Sequence, residues 1–472
     1  MADVVVVCHN NVIIFSDKKV KFDFEIDLSI SWQRWYNRAI LHSVSQLKKA
    51  NGWIYKFRNK IFTDAACRNP IDLFERVSDD ITIHLICVAN GASGACIRHF
   101  NGGSGSLVID PEQNVNNPNP FHVGNPGGIQ NFVHVLDEAN LNVILQELDT
   151  IGDFVDYLNA RRRVIDGGNL FYAASEEDLL AVYLKDVNEY GAHDFVKSTG
   201  VRFESNEKFA IQEGTYLNYV NNSAYKRKKR ADKVSYLWDK LIETFAGHLT
   251  AGTLAPVPNE LSSFDGRNGG AEIGLRFMAL QSRVLRRAHS QAILGAFDTL
   301  GKSRADRFFR AILPPNEQDG DTAFFILLLK KNGRLAGLSF DEYRSFRAMC
   351  SHAYSQALLE RYRNIKRVVG IATEGDFGGG RSEDLIYQEP PEWTDDAINE
   401  TRILADKFEV FNSATPRNYS AKEYPDTDLG IRGKHQPVPY KFYAATEDHS
   451  PEVRGRNRSE TRALRAKARR KN

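Results

Sequence analysis

The chain has 472 residues, 42% of them apolar and 26% charged, with a formal net charge of +2. Ordinary single domains run to roughly 100 to 200 residues, so two or three cores are expected. No run of about 18 apolar residues marks a membrane span and no charged-then-apolar leader opens the chain, so a cytoplasmic protein is expected. The near-neutral total says nothing for or against nucleic acid, because the field that matters is local. Five cysteines, Cys8, Cys67, Cys87, Cys96 and Cys350, form no CxxC pair and match no histidine spacing. That pattern argues against a zinc cage or a disulfide framework and for reduced thiols.

In chain order, Asp3 to Lys19 reads as two apolar strands, VVVVC and VIIF, joined by a polar HNN turn. From Trp32 to Phe57, Trp35, Ala39, Ser43, Gln46, Leu47, Ala50 and Ile54 recur at three- and four-residue steps, which predicts an amphipathic helix. Ile81 to Ala89 is a third apolar strand, and Ser106 to Asp110 (SLVID) is expected to pair with its neighbours. The segment from Pro111 to Gly128, rich in Asn, Pro and Gly, reads as a boundary. Beyond it, a strand at Phe132–Val135, a helix over Leu141–Arg161, a strand at Phe171–Ala174 and a helix over Ser175–Tyr183 suggest a second α/β layer. The basic run Lys226, Arg227, Lys228, Lys229, Arg230 opens a mostly helical region reaching about Arg310. A final α/β unit comprises strands at Phe324–Leu329 and Val368–Thr373, with helices over Phe340–Tyr362 and near Thr394–Phe408. The last 20 residues hold nine Lys or Arg against one Glu and read as a basic tail. The fold expected is therefore mixed α/β (α+β) and multi-domain, divided at 1–110, 129–225, 226–320, 321–411 and 412–472.

Gly295–Ser303 (GAFDTLGKS) has five residues between its first glycine and the Gly-Lys-Ser, where a phosphate loop needs four, and it sits in a helical pattern. The twelve histidines form no HExxH, and the serines lack a GxSxG elbow. Gly102-Gly103-Ser104-Gly105-Ser106 reads as a flexible loop. Thr373-Glu374-Gly375-Asp376 places two carboxylates at a strand end, with a surface loop as the simpler explanation.

The N-terminal hairpin carries more chemistry. Phosphodiester hydrolysis needs a divalent metal held by hard carboxylate oxygens and gains from a cation near the developing charge. Residues two apart on a strand share a face, so an aspartate on one strand and an acid-x-Lys triplet on the next can assemble such a site. Asp3 before VVVVC, the HNN turn and VIIF-Ser16-Asp17-Lys18-Lys19, followed by a long helix and another apolar strand, resemble the PD-(D/E)xK restriction-endonuclease-like core. The chain is also similar to a group of uncharacterised bacterial proteins sharing the FSDK element, the Trp-rich helix, the GIATE strand at Gly370–Glu374 and the SEDLIY segment at Ser382–Tyr387.

The first resemblance implies a restriction-endonuclease-like core within residues 1–110, without the fold's first helix ahead of Asp3. It implies Mg²⁺ held by Asp3 and Asp17, an electrostatic Lys18 or Lys19, and DNA or RNA as substrate, with Lys226–Arg230 and the basic tail holding the backbone. Two registers stay open: Ser16 in the acid position with Lys18, or Asp17 with Lys19, on opposite strand faces. The cysteine-rich SEC-C tail of the similar bacterial proteins is replaced here by the basic tail. Two further readings compete with a nuclease. One is a catalytically silent nucleic-acid-binding or protein-interaction module; the other is a plain solvated strand end.

Overall fold

The computed structural model describes residues 3–58, 60–64, 66–71, 74, 80–188, 191–254, 269–314, 320–375, 382–411 and 421–425. The chain is a mixed α/β protein that folds as two compact units. The first comprises Met1–Val234, Arg276–Arg287 and Ala421–Pro439, and the second Ser235–Leu275, Ala288–Ser420 and Tyr440–Asn472. No described helix is long and apolar enough to cross a membrane.

Unit 1 begins with the predicted hairpin, β1 (Val4–Cys8) and β2 (Asn11–Lys19), antiparallel and closed at His9 and Asn10, where His9 takes φ 53°. The polar turn works because the two-residue connection needs left-handed backbone that bulky apolar residues avoid. The Trp-rich stretch forms α1 (Leu28–Tyr36), a π-helical turn at Asn37–Leu41, and α2 (His42–Phe57). Asp27 caps α1, its Oδ1 accepting the Ser29 and Ile30 N–H groups, which satisfies donors the first helical turn leaves unpaired. β3 (Thr82–Asn90) runs parallel to β2, and α3 (Ser93–Phe100) follows it.

The next segments are β4 (Val108–Ile109), β5 (His122–Val123) and β6 (Val133–Asp137). β6 pairs parallel with β3, giving the sheet order β1-β2-β3-β6. The Asn/Pro/Gly stretch expected as a boundary thus connects strands within one unit. The SLVID strand pairs with β5, its next neighbour in the chain, and with the later strand at Leu170–Ala173.

The predicted helix over Leu141–Arg161 is two helices, α4 (Leu141–Glu147) and α5 (Ile151–Asp166). Leu148 leaves helical geometry, and Thr150, in extended conformation, starts α5 by accepting the Asp153 N–H at 3.0 Å. The apolar period runs on across the break, so spacing alone hid it. Then come β7 (Leu170–Ala173), α6 (Glu176–Lys185), β8 (Phe209–Ile211), α7 (Thr215–Asn221) and α8 (Ser223–Ala231). β5, β4, β7 and β8 make a second sheet in that order, with β7 and β8 parallel.

Both faces of the first sheet are covered, which is why VIIF is an unbroken apolar run rather than an alternating one. Val12 and Ile14 pack with Trp32, Trp35, Tyr36 and Leu47, while Ile13 packs with Phe154, Leu158 and other residues of the α4–α6 side. Each such fully buried side chain contributes roughly 1.5–3 kcal/mol.

Unit 2 contains α9 (Tyr236–Ala251) and parts of α10 (Gly269–Ala279) and α11 (Arg283–Lys302), which also contribute to unit 1. Its sheet is built from β9 (Arg307–Ile312), β10 (Thr322–Leu329), β11 (Arg367–Glu374) and β12 (Glu383–Gln388), in the order β12-β11-β10-β9, with only β10 and β11 parallel. β9 lies in a stretch expected to be helical. α12 (Phe340–Arg361) and α13 (Asp395–Lys407) complete the unit, α12 opening on a capping box between Ser339 and Glu342. Gly370 faces Phe325 across the β10–β11 pair, and a Cβ there would lie 2.0 Å from the ring, so the GIATE glycine is required by packing.

Candidate functional site

The hairpin end places the predicted residues as follows. The Asp3 N–H donates to Phe15 O, and Asp3 Oδ2 accepts the Asp17 N–H at 2.8 Å. Asp17 Oδ1 accepts from Asn90 Nδ2 at 2.7 Å, joining the ends of β2 and β3. Ser16 is fully buried and its hydroxyl donates to Gln46 Oε1 at 3.1 Å, so this position faces α2. Strand alternation puts Asp17 and Lys19 on the face opposite Ser16 and Lys18. Asp3, Asp17 and Lys19 are exposed, and Lys18 is half-buried.

The basic run lies on α8 and is largely committed to internal partners. Lys228 is buried with its Nζ 2.9 Å from Asp232 and 3.0 Å from Glu423. Burial alone would lower its pKa, but Glu423 and Asp232 hold it well above the ordinary lysine range. Lys229 pairs with Glu147 at 2.8 Å, and Arg230 Nε donates to the Lys226 carbonyl. Arg227 Nε is buried without a hydrogen-bond partner among the described residues. Only Lys226 and Arg230 are exposed, so the five cations do not form one solvent-facing patch. The basic tail and residues 376–381 lie outside the described residues. Glu374 accepts from Ser382 Oγ at 3.3 Å, and Asp384 of the SEDLIY segment is held by Arg344 and Arg347. The Gly-Lys-Ser stretch lies at the end of α11, as its helical pattern implied, with Lys302 paired to Asp298. All five cysteines are free thiols.

A cavity of about 730 Å³ in unit 1 concentrates features that the sequence motifs did not mark. It lies where the parallel strands β7 and β8 end, between the Gly/Ser loop and the starts of α6 and α7. Crevices at strand carboxyl ends are where α/β sheets commonly take ligands. The Gly/Ser loop is shaped rather than slack. Asn101 ends α3 at φ 56°, and Gly102, Gly103 and Gly105 all have positive φ. A Cβ at Gly105 would come within 2.2 Å of Ser93 Oγ, and one at Gly103 within 2.9 Å of Glu213 Oε1. The loop's end is tied down by Asp137, whose Oδ2 accepts the Leu107 N–H at 2.8 Å and the Ser106 hydroxyl at 3.3 Å. Burial pushes the Asp137 carboxyl up to about 7, with Glu177 adding to the rise and backbone donors opposing it.

The first turn of α6 carries three consecutive acids in different circumstances. Glu176 is sealed: Arg161 donates through Nε at 2.7 Å and Nη2 at 2.8 Å, and the Tyr157 hydroxyl donates at 2.5 Å. Asp178 is also satisfied, with its Oδ2 bonded to the Ser175 hydroxyl and its Oδ1 accepting the Tyr216 N–H. Glu177 lines the cavity, is only 7% exposed, and its Oε2 has no hydrogen-bond partner among the described residues. Its charge is felt nearby: burial, then Asp137 and Glu177, push the Cys96 thiol up to about 12, keeping it protonated and weak as a nucleophile. Glu213, Tyr172, Tyr216 and Phe100 complete the chemistry of the walls. Burial raises the Tyr172 pKa, and Glu213 and Asp178 add to it.

The described lining contains no lysine, arginine or histidine. Among the described residues no group of three or more His, Cys, Asp or Glu side chains is disposed to hold a metal ion. The signal available in sequence was Ser175-Glu176-Glu177-Asp178 directly after an apolar strand; which of the acids is buried unpaired is set by tertiary packing. Comparisons of the chain with protein-family models, with curated proteins and with solved structures find no match. What the fold and the cavity define is a mixed α/β protein with an acidic, aromatic-walled cleft.

Proposed function

We propose that unit 1 is a small-molecule recognition module whose site is the cleft at the ends of β7 and β8. The observation that carries this reading is Glu177 Oε2, a buried oxygen without a partner in the wall of a cavity of about 730 Å³. Burying a carboxylate without hydrogen bonds is costly, and a ligand donor reaching Glu177 would offset that cost. The volume matches small-molecule sites, which span roughly 300–1,000 Å³, and the tyrosines offer flat apolar walls. Ligand-observed NMR with a chemically diverse fragment set tests it. Leu217 lines the mouth and is 56% exposed, so Leu217→Trp narrows the cleft with little effect on folding. Fragment signals that disappear in Leu217→Trp support the site; hits indifferent to the substitution refute it.

A second reading, a Mg²⁺-dependent nuclease with a PD-(D/E)xK-like core, is favoured by the contact between the Asp3 carboxylate and the Asp17 backbone beside Lys18 and Lys19. Mg²⁺ commonly takes only one or two protein carboxylates and fills its shell with water and phosphate oxygens. Asp3 and Asp17, hard oxygen donors, would hold the ion, which would supply Lewis acidity toward the phosphate; the chain's own part is the positioning of the two carboxylates and the positive charge of Lys18 or Lys19. Incubation with single- and double-stranded DNA and RNA in Mg²⁺ or Mn²⁺ tests this. Cleavage lost in Asp17→Ala supports it, and cleavage that survives in both Asp17→Ala and Asp3→Ala removes the assignment.

A further inference from the structure

Resting on the reading of the cleft as a ligand site, we infer that its ligand is a small organic cation bearing an ammonium or guanidinium group. Three features converge on charge. Glu177 lines the cavity with its unpartnered Oε2 buried in the wall, and Glu213, which is exposed, lines it beside Gly103. The described lining contributes carboxylates from Glu177, Asp178 and Glu213 and no basic side chain, so the local field is negative. The amino-terminal end of α6, which by its dipole would attract a phosphate, carries Glu176, Glu177 and Asp178 in its first turn, which reverses that preference.

The walls supply the rest of the recognition. Tyr172, Tyr216 and Phe100 line the cavity, and aromatic rings attract a desolvated cation. A guanidinium or ammonium donates hydrogen bonds without accepting any, which suits a pocket whose unmatched group is a carboxylate oxygen. Asp178 does not serve as a ligand group because its oxygens already join α6 to Ser175 and α7. Glu177 is the direct binding residue, and Glu213 strengthens the field from a solvated position.

Isothermal titration of the full-length chain with butylguanidine and butylurea isolates charge, since the two are nearly isosteric; AMP provides an anion, and N-acetylarginine amide a cation presented as a peptide side chain. Butylguanidine is expected to bind at least tenfold more tightly than butylurea, with AMP showing no cleft binding. Glu177→Gln should weaken butylguanidine at least tenfold, Glu177→Asp should restore part of that loss, and Glu213→Gln should weaken it about threefold. Glu25→Gln, at an exposed carboxylate outside the cleft, should leave affinity unchanged. Tighter binding of N-acetylarginine amide than of butylguanidine would assign the cation to a protein side chain and overturn the small-molecule form.

Equal binding of butylurea and butylguanidine, both abolished by Leu217→Trp, would overturn the cationic class while leaving the cleft as a site. AMP binding that is sensitive to Leu217→Trp would do the same. Absence of any such binding across all three charge types would overturn both the class and the site. Far-UV circular dichroism on each variant confirms the fold, and Glu177→Asp keeps the charge comparison decisive if Glu177→Gln is perturbed.

Discussion

Two acidic places in unit 1 differ in a way their sequences conceal. At the end of the hairpin, Asp3 and Asp17 are exposed, and each spends a carboxylate oxygen on a nearby N–H group. At the start of α6, Glu177 is buried and has an oxygen that nothing in the described chain satisfies. Exposed carboxylates can be left to water at little cost, whereas a buried one without a donor is maintained against the free energy of folding. The second arrangement is therefore the stronger pointer to a ligand, although the first looks more like a motif.

Substitutions can break that contrast, beginning with the residue next to Glu177. Glu176→Gln weakens the buried pair with Arg161 and leaves the guanidinium charge uncompensated, so a loss of about 3–5 kcal/mol in unfolding free energy is expected, read by chemical denaturation. A wild-type-like midpoint would show that Glu176 and Glu177 are energetically alike and that the contrast is mistaken.

Asp137 sharpens the comparison through pH. Its folded pKa of about 7 lies above the ordinary 3.8, so its stabilising effect is complete below about pH 4, declines as pH rises, and is gone above about 7. Wild-type stability should fall across that window by on the order of 4 kcal/mol more than in Asp137→Asn, which removes the titration. Parallel pH profiles for the two proteins would contradict the assignment. The loop tied to Asp137 borders the cleft, so this measurement also reports how firmly that wall is held.

Glu177→Gln should move stability in the opposite direction to Glu176→Gln. Removing an unmatched buried charge is expected to stabilise the ligand-free protein by about 1 kcal/mol, raising Tm by a few degrees, while ligand affinity falls. Destabilisation would place Glu177 among structural residues. The smallest effects belong to the hairpin: Asp3→Ala and Asp17→Ala should each change stability by no more than about 0.5 kcal/mol by thermal denaturation, as exposed sites usually do. A loss above about 2 kcal/mol would show that the strand end is held mainly by these side chains.

The parts of the fold legible in sequence were those with long apolar runs or sustained helical spacing. β2, β3, β10 and β11 lie where mainly apolar runs predicted them, and α12 follows its expected span to within a residue or two. In the second sheet of unit 1, β4 and β7 lie in the stretches read as strands at Ser106–Asp110 and Phe171–Ala174, whereas β5 and β8, two and three residues long, are too short for any period to register. The break at Leu148–Thr150 escaped because apolar spacing carries across it. Of the two candidate sites, only the hairpin could be put forward from sequence, since its residues are close along the chain. The Lys226–Arg230 run suggested a basic face because its carboxylate partners, Glu147 and Glu423, are far away along the chain. Glu177 was hidden by company: three acids at a helix start usually signal a solvated, dipole-matched turn.

The five-residue segment 421–425 carries a practical consequence for anyone trimming this polypeptide. Glu423 places its carboxylate against Lys228 and, at 3.2 Å, against His193; despite burial, those neighbours keep it ionised far below the usual glutamate range. Tyr424 anchors the same stretch by donating to the Leu184 carbonyl. An expression fragment ending at Val234 would discard that counter-ion together with Arg287, the guanidinium bound to Asp232, and leave a partly emptied charge cluster in its interior. The amino-terminal half is thus not a self-sufficient piece: its last structural bolt is supplied from nearly two hundred residues downstream.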